Sequence, residues 1–268
     1  MVLIVTDGAV DISERLAVSG LVRQVPGEVW GPDGPLPVDR EAFWASLRRG
    51  EYPSTSPPTV SALMAAYEHP DLVIGLHVSG QLSATLQRAH EAAERVGPGV
   101  SVIDTESFSV GSGLVVNELH RLARSGDAPS LVDAARELPS RLHTYALVQD
   151  VDALRRSDRS GLIPTSHLMR NHPLVLAIRG RVVPLAQPRQ RSNAIAELSR
   201  HLQHRSGPPL SAWALGHGDA PDVDSVVRGL STYIGREPAF VTHLDPTVGV
   251  HLGPDSLVVG VLNERAEP

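Results

Sequence analysis

The sequence predicts an α/β protein in two domains, a mostly parallel sheet with flanking helices over residues 1–146 and a second α/β domain with a mixed sheet over 147–268. Three observations predict it. Short runs of Val, Ile and Leu alternate with helical patterns, as they do where crossover helices cover a parallel sheet. At 174–185 the rhythm changes, because two apolar runs are separated only by Arg179-Gly180-Arg181, the spacing of a hairpin. The length of 268 residues, at about 150 per domain, suits two modest domains.

In chain order, Val2–Val5 reads as a strand ending at Thr6-Asp7, and Pro26-Gly27 through Pro37 holds too much Pro and Gly for more than short extended pieces. Asp39 caps a helix running to Arg49. Thr59 caps another, with Val60, Leu63, Met64 and Tyr67 at i, i+3, i+4 and i+7. Leu72–Val78 is the next strand, and Leu82, Leu86, Ala89, Ala93 and Val96 mark one face of a helix. Val100–Ile103 is a strand, followed by helices at Leu114–Arg124 and Ser130–Leu138. Strands at Tyr145–Val148, Leu174–Ile178 and Val182–Leu185 precede a long helix from about Ser192 to His204. Leu210–Leu215, Ala239–Thr242 and Leu257–Val261 are the last strands, with a helix at Val223–Ile234 between the first two.

Composition removes several function classes. With 41% apolar and 20% charged residues the chain is an ordinary packed globular one. No run approaches the ~18 apolar residues of a membrane-spanning helix, and no basic region precedes the first strand, so a cytoplasmic protein without stable membrane insertion is expected. Cysteine is absent, which excludes disulfides, thiolate nucleophiles, Fe–S clusters and Cys-based zinc sites. All 24 basic residues are arginine, so neither a P-loop lysine nor a Schiff-base lysine is present. The net charge of −6 argues against nucleic-acid binding despite arginines at 155, 156, 159, 179, 181, 189 and 191.

In open parallel sheets ligands bind beyond the carboxyl ends of the strands. Asp7 and Asp104 sit there, either as loop-closing carboxylates or as acids of a phosphate-site hydrolase or phosphotransferase. Ser79-Gly80-Gln81-Leu82-Ser83-Ala84-Thr85 gathers hydroxyls and backbone N–H groups before a helix, an anion-binding arrangement or a plain cap through Ser83. Thr55-Ser56-Pro57-Pro58-Thr59 is a second hydroxyl cluster stiffened by prolines. His251, between Gly249 and Gly253, reads as a loop histidine that could donate to an anion. His201 and His204 have a spacing that could share a metal, but no matching carboxylate is expected on that face.

Enzyme templates fit poorly. Thr6-Asp7-Gly8-Ala9 is similar to the Asp-x-Asp-Gly loop of haloacid-dehalogenase-type phosphatases, yet Val5 stands at the nucleophile position. His77 and Gln81 replace the glycines of a nucleophile elbow around Ser79, and Gly111-Ser112-Gly113 lacks the third glycine of a dinucleotide loop. No cofactor is expected, and a small-molecule sensor with the same anion site is a further reading.

Several motifs in one order resemble the DegV family of bacterial fatty-acid-binding proteins. Thr6-Asp7 followed by Asp11 is similar to its T-D-S-T-x-D opening, Thr55 through Thr59 to T-S-Q-P-S, and Ser79 through Gln87 to S-S-x-L-S-G-T-Y-Q. Val102-Ile103-Asp104-Thr105 resembles V-x-D-S, and Leu154 through Arg159 with Ile163 sits loosely at L-x-x-G-G-R-I. Pro173, Arg189 and His251 with Gly253-Pro254 fit K-P, V-R-T-R-K-K-A and H-x-G-P. Departures include Gly8-Ala9, Pro57, Gly80, Ala84, Leu86 and Ser157-Asp158.

The resemblance implies a two-domain protein with one long-chain fatty acid between its domains. It implies Thr55, Ser79 and His251 as donors to the carboxylate, with the Gly80 N–H and Arg159 nearby and Ser56 and Ser83 as further ligand-binding residues. It further implies a non-enzymatic subunit that presents this acid to a dihydroxyacetone-kinase-like fatty acid kinase for acyl-phosphate formation, with Arg189 a candidate contact for the kinase or its nucleotide.

Overall fold

In β1 (Val2–Asp7) Val2 and Ile4 point one way, Leu3 and Val5 the other, and all four are buried. A strand apolar on both faces has to lie between two covered layers. The computed structural model, which describes residues 2–31, 34–36, 39–126, 130–156, 172–204 and 209–265, shows both layers. After β1 come α1 (Glu14–Ala17), β2 (Val22–Val25), β3 (Glu28–Gly31), β4 (Gly34–Pro35), α2 (Arg40–Arg48) and β5 (Ser54–Ser56). Then follow α3 (Val60–Tyr67), β6 (Leu72–His77), α4 (Thr85–Val96), β7 (Val100–Asp104), α5 (Ser109–Ser125) and α6 (Leu131–Glu137). The chain continues through β8 (Leu142–Leu147), α7 (Val151–Arg156), β9 (Leu174–Ile178), β10 (Arg181–Ala186) and α8 (Arg191–His204). It ends with β11 (Leu210–His217), α9 (Val223–Ile234), β12 (Phe240–His243), α10 (Pro246–Leu252) and β13 (Leu257–Asn263).

The first sheet is parallel throughout, in the order β2-β1-β6-β7. The second is mixed, in the order β10-β9-β8-β13-β11-β12, antiparallel except where β12 joins β11 in parallel. A small antiparallel sheet, β4-β3-β5, folds the Pro- and Gly-rich segment onto the Thr55 strand. The hairpin between β9 and β10 is closed by Arg179 (φ 50°) and Gly180 (φ 74°), the left-handed pair that a two-residue hairpin turn demands.

Helices α3 and α4 cover one face of the parallel sheet, where Leu63, Ala66, Tyr67, Ala89 and Ala92 meet Leu3, Val5 and Val73. On its other face lies α5, which packs against the mixed sheet as well. The far face of the mixed sheet is covered by α8 and α9, through Leu198, Leu202, Val226 and Leu230 on Tyr145, Trp213, Leu215 and Val259. Along β13 the period of two is plain: Val258 and Leu262 face α5, whereas Leu257, Val259 and Val261 face the outer helices.

Glycines set how closely α5 approaches. A Cβ on Gly111 would overlap the Thr144 hydroxyl on β8, one on Gly113 would overlap the Asp11 carbonyl, and one on Gly260 would stand 2.8 Å from the Gly111 Cα. The Gly-Ser-Gly at 111–113 is therefore a helix-packing device, the role that remains once a dinucleotide loop is set aside.

The structure differs from expectation at several points. Helix α5 begins at Ser109 rather than Leu114, since small residues that carry no periodic apolar signal form its first turn. The boundary read between residues 146 and 147 cuts the end of β8 (Leu142–Leu147), a strand that pairs with β9 and β13 in the mixed sheet. Elements α1, β2, β5, α7 and α10 have no counterpart among the elements read from the sequence; β2 is an edge strand with exposed Arg23 and Gln24 at its centre. Asp39 and Thr59 cap α2 and α3 as read, accepting from Ala42 and Ala62 N–H.

Replacing Gly111 with Ala should destabilise the fold by about 1–3 kcal/mol, because the added methyl must push α5 off β8. Urea unfolding followed by circular dichroism measures it, and a change within about 0.5 kcal/mol would contradict the packing argument.

Candidate functional site

A cavity of about 610 Å³ lies where the carboxyl ends of β1 and β6 face β8, β9, β10 and α10. Much of its wall is apolar: Val78, Leu82, Phe108, Val148, Val175 and Val182. Both sheets and the start of α5 contribute, so neither sheet alone encloses the space.

Polar groups enter the wall from three directions. Strand β5, held to β3 by pairing of Thr55 with Val29, brings Thr55 and Ser56. Helix α10 brings Thr247 and His251, and the segment before α4 brings Ser83 and Thr85. Thr55 Oγ1 and His251 Nε2 are 3.3 Å apart, so a hydroxyl and an imidazole nitrogen share one hydrogen bond in the wall. Ser83 Oγ lies 2.8 Å from Thr85 Oγ1 and accepts from Thr85 N–H; the N-cap position falls on Ala84, which has no side-chain bond to offer. Arg88 Nη1 donates to the Pro57 and Pro58 carbonyls at 2.9 and 3.1 Å, tying the Thr55 segment to α4.

The two strand-end acids are occupied in closing loops. Asp7 borders the cavity, but its Oδ1 accepts from Ala9 N–H at 3.0 Å, and its Oδ2 accepts from Val78 N–H at 3.1 Å and faces His77 Nδ1 at 3.0 Å. His77 Nε2 lies 2.6 Å from the Tyr67 hydroxyl, which burial and the Asp7 charge hold above the usual tyrosine range. Asp104 accepts from Gly80 and Glu106 N–H at 3.2 and 2.7 Å and is absent from the cavity wall.

The other site residues read from the sequence divide. Thr55, Ser56, Ser83 and His251 meet at the cavity. Ser79 and Gly80 do not line it: the Ser79 hydroxyl is fully buried and accepts from Gln81 N–H at 3.2 Å, and the Gly80 N–H is taken by Asp104. Ser79 turns inward while Gly80 is exposed, and both bonds satisfy backbone groups of the β6–α4 loop itself. Arg189 is exposed, between β10 and α8. Arg159 lies outside the described residues.

His251 is on the last turn of α10, not in a loop, and Gly253 (φ 92°) ends that helix. The helix had a legible signal, Asp245 as N-cap followed by Pro246 at the first helical position. On α8 a carboxylate does share the face of His201, since Glu197 Oε1 lies 3.4 Å from its Nε2. No group of three or more possible metal ligands gathers among the described residues, and no helix there is long and apolar enough to cross a membrane.

Comparison with known proteins gives the arrangement a context. The DegV family, described as one of uncharacterised proteins, matches residues 1–264. The chain belongs to the DegV family. A DegV domain-containing protein of Deinococcus radiodurans is 32% identical, over 97% of this chain and 98% of its own. A DegV-family structure from Thermus thermophilus, described for its fatty acid binding, is 25% identical with TM-score 0.87, over 98% of this chain and 99% of the other. A stearic acid-binding protein from Eubacterium ventriosum shares the fold at 18% identity and TM-score 0.87, over 98% of each chain.

Beneath the cavity of this DegV-family chain lies a cluster that no sequence motif marks as a unit. Asp11 Oδ1 accepts from the Asp245 N–H at 2.6 Å, and Asp11 Oδ2 accepts from Ser109 Oγ at 2.6 Å. Burial, then the nearby Asp245, pushes the Asp11 carboxyl up to about 8, and burial raises Asp245 as well.

The folded chain therefore holds a proton on Asp11 between its ordinary value of 3.8 and about 8, while the unfolded chain has released it. Stability falls as pH rises through that window. Asp11→Asn should flatten this slope, so that the melting temperature of the variant relative to the parent rises from about pH 5 to about pH 8. Differential scanning calorimetry at several pH values reads the effect, and a constant difference would contradict the assignment.

Proposed function

We propose that this protein binds one long-chain fatty acid, with the alkyl tail in the cavity between the two sheets and the carboxylate at its polar wall. The observation that carries the reading is a cavity of about 610 Å³ with valine, leucine and phenylalanine in its wall beside the Thr55–His251 pair. Each methylene moved out of water contributes about 0.8 kcal/mol, so a tail of roughly 16 carbons supplies ample affinity from an apolar tunnel alone. The carboxylate still needs partners, because a buried anion without them costs several kcal/mol.

Thr55 Oγ1 and His251 Nε2 meet that need together, with Ser56 and Ser83 beside them in the wall. Binding breaks the bond these two groups make with each other and turns both toward the carboxylate. The described part of the wall contains no arginine or lysine that would clamp the acid. An oxygen held by a hydroxyl and an imidazole stays open to phosphoryl transfer. In this reading the protein is a cytoplasmic carrier, Arg159 is a candidate ligand contact, and exposed Arg189 is a contact for a separate kinase of the dihydroxyacetone-kinase type or its nucleotide.

Native mass spectrometry of the purified protein, set beside its denatured extract, tests the first step. One fatty acid of about 14 to 20 carbons per chain is the expected result; an empty protein that also takes up no added acid would end the reading. His251→Ala and Thr55→Val should each weaken binding by about 1.5–3 kcal/mol, the range for hydrogen bonds to a charged group. Calorimetric titration with palmitate measures this, and unchanged affinity would move the head-group elsewhere.

The kinase step has its own assay. The loaded protein, a dihydroxyacetone-kinase-like subunit and ATP should together give hydroxylamine-trappable acyl phosphate, and neither protein should give it alone. Product formed by the kinase subunit from free acid at the same rate would remove the presenting role.

A further inference from the structure

Helix α10 carries Thr247, Val248, His251 and Leu252 into the cavity wall, yet it is seven residues long. A helix of that length has no stability of its own, so its position comes from what grips it. On one flank Gly249 lets the Trp44 ring of α2 press against its backbone, with no room for a Cβ between them. At its last turn His251 reaches Thr55 on β5. At its first turn the grip is Asp11.

Asp11 lies in the loop after β1, is 4% exposed and stands outside the cavity wall. One of its oxygens accepts from the backbone N–H of Asp245, the N-cap of α10, and the other from the hydroxyl of Ser109, the first residue of α5. Both distances are 2.6 Å. The grip extends in both directions. Asp245 Oδ1 accepts from the N–H and the hydroxyl of Thr247, while Ser109 N–H donates to the Ala9 carbonyl. Ser109 itself has φ 52°, a left-handed conformation that needs such anchoring.

The charged groups facing Asp11 are Asp245 and Asp7, both acids, so the site is a poor place for a carboxyl group on grounds of stability. What a carboxyl offers is two coplanar oxygens on a short stem, one accepting from the Asp245 N–H and the other sharing a hydrogen with the Ser109 hydroxyl, which a protonated Asp11 donates. It can hold two elements from different parts of the chain at once.

We propose that Asp11 is the positioning residue of the ligand site: by tying Asp245 at the start of α10 to Ser109 at the start of α5, it sets where His251 meets Thr55. The consequence for ligand binding rests on the fatty-acid reading above; the tie itself does not.

Amide hydrogen exchange and palmitate titration on the full chain test the two parts separately. In Asp11→Ala, exchange of the 246–252 amides should rise at least tenfold while β6 and β13 keep their protection, and palmitate should bind roughly tenfold more weakly. In Asp11→Asn the side-chain oxygen still accepts from Asp245 N–H and the amide group donates to Ser109 Oγ. That variant should return both readouts to within about threefold of the parent.

Three results would overturn the proposal: α10 exchange unchanged in the alanine variant, a uniform rise across the whole molecule, or an asparagine variant as loose as the alanine one. Should Asp11→Ala not fold, Ser109→Ala removes one anchor and should loosen α10 selectively; unchanged exchange there overturns the proposal equally. If the exchange pattern is as expected but the parent protein itself binds no palmitate, the tie stands and the fatty-acid reading falls.

Discussion

Glycine at 111, 113 and 260 removes the methyl groups that would otherwise hold α5 away from its neighbours. One helix can then lie between the parallel sheet and the mixed sheet and give both a common core, from Ile4 and Leu76 on one side to Ala146, Ala214 and Val258 on the other. The hydroxyls that come with these small residues are satisfied within the same layer. Ser112 pairs with Thr105 and Ser107 with Thr144, each at 2.7 Å, so polar atoms sit between two sheets without the cost of an unmade bond.

The cavity follows from that layer. Where α5 begins, Phe108 takes a place in the cavity wall, and beyond it the sheets are no longer bridged by helix. The space left there is bounded by the carboxyl ends of β1 and β6, the usual place for a ligand in a parallel sheet. The mixed sheet contributes valines from β9 and β10 to the opposite wall. Aliphatic walls with hydroxyls and one imidazole suit an amphiphile with a long tail and a small anionic head. Asp7 and Asp104 accept from backbone amides that close the loops after β1 and β7.

Sequence is legible wherever the physics is local. The caps at Asp39 and Thr59 and the hairpin at Arg179-Gly180 each depend on a few consecutive residues, and the structure shows each as the sequence implies. The site was half legible. Thr55, Ser56, Ser83 and His251 do meet, although 196 positions separate Thr55 from His251. Ser79 and Gly80 resemble anion ligands in sequence, but whether an N–H points at a ligand or at its own loop depends on where Asp104 stands, and Asp104 comes from the next strand.

What the sequence by itself determined was the alternation of strands and helices, the order of the motifs and the exclusion of cysteine and lysine chemistry. All of these are properties of composition and short spacing. Tertiary structure decided which side of α5 each sheet would take, which hydroxyls face the cavity, and that Asp11 would grip the start of α10 from 234 residues away. Packing settles such questions because a glycine or a carboxyl shows its purpose only through the atom it meets, and that atom belongs to a distant part of the chain.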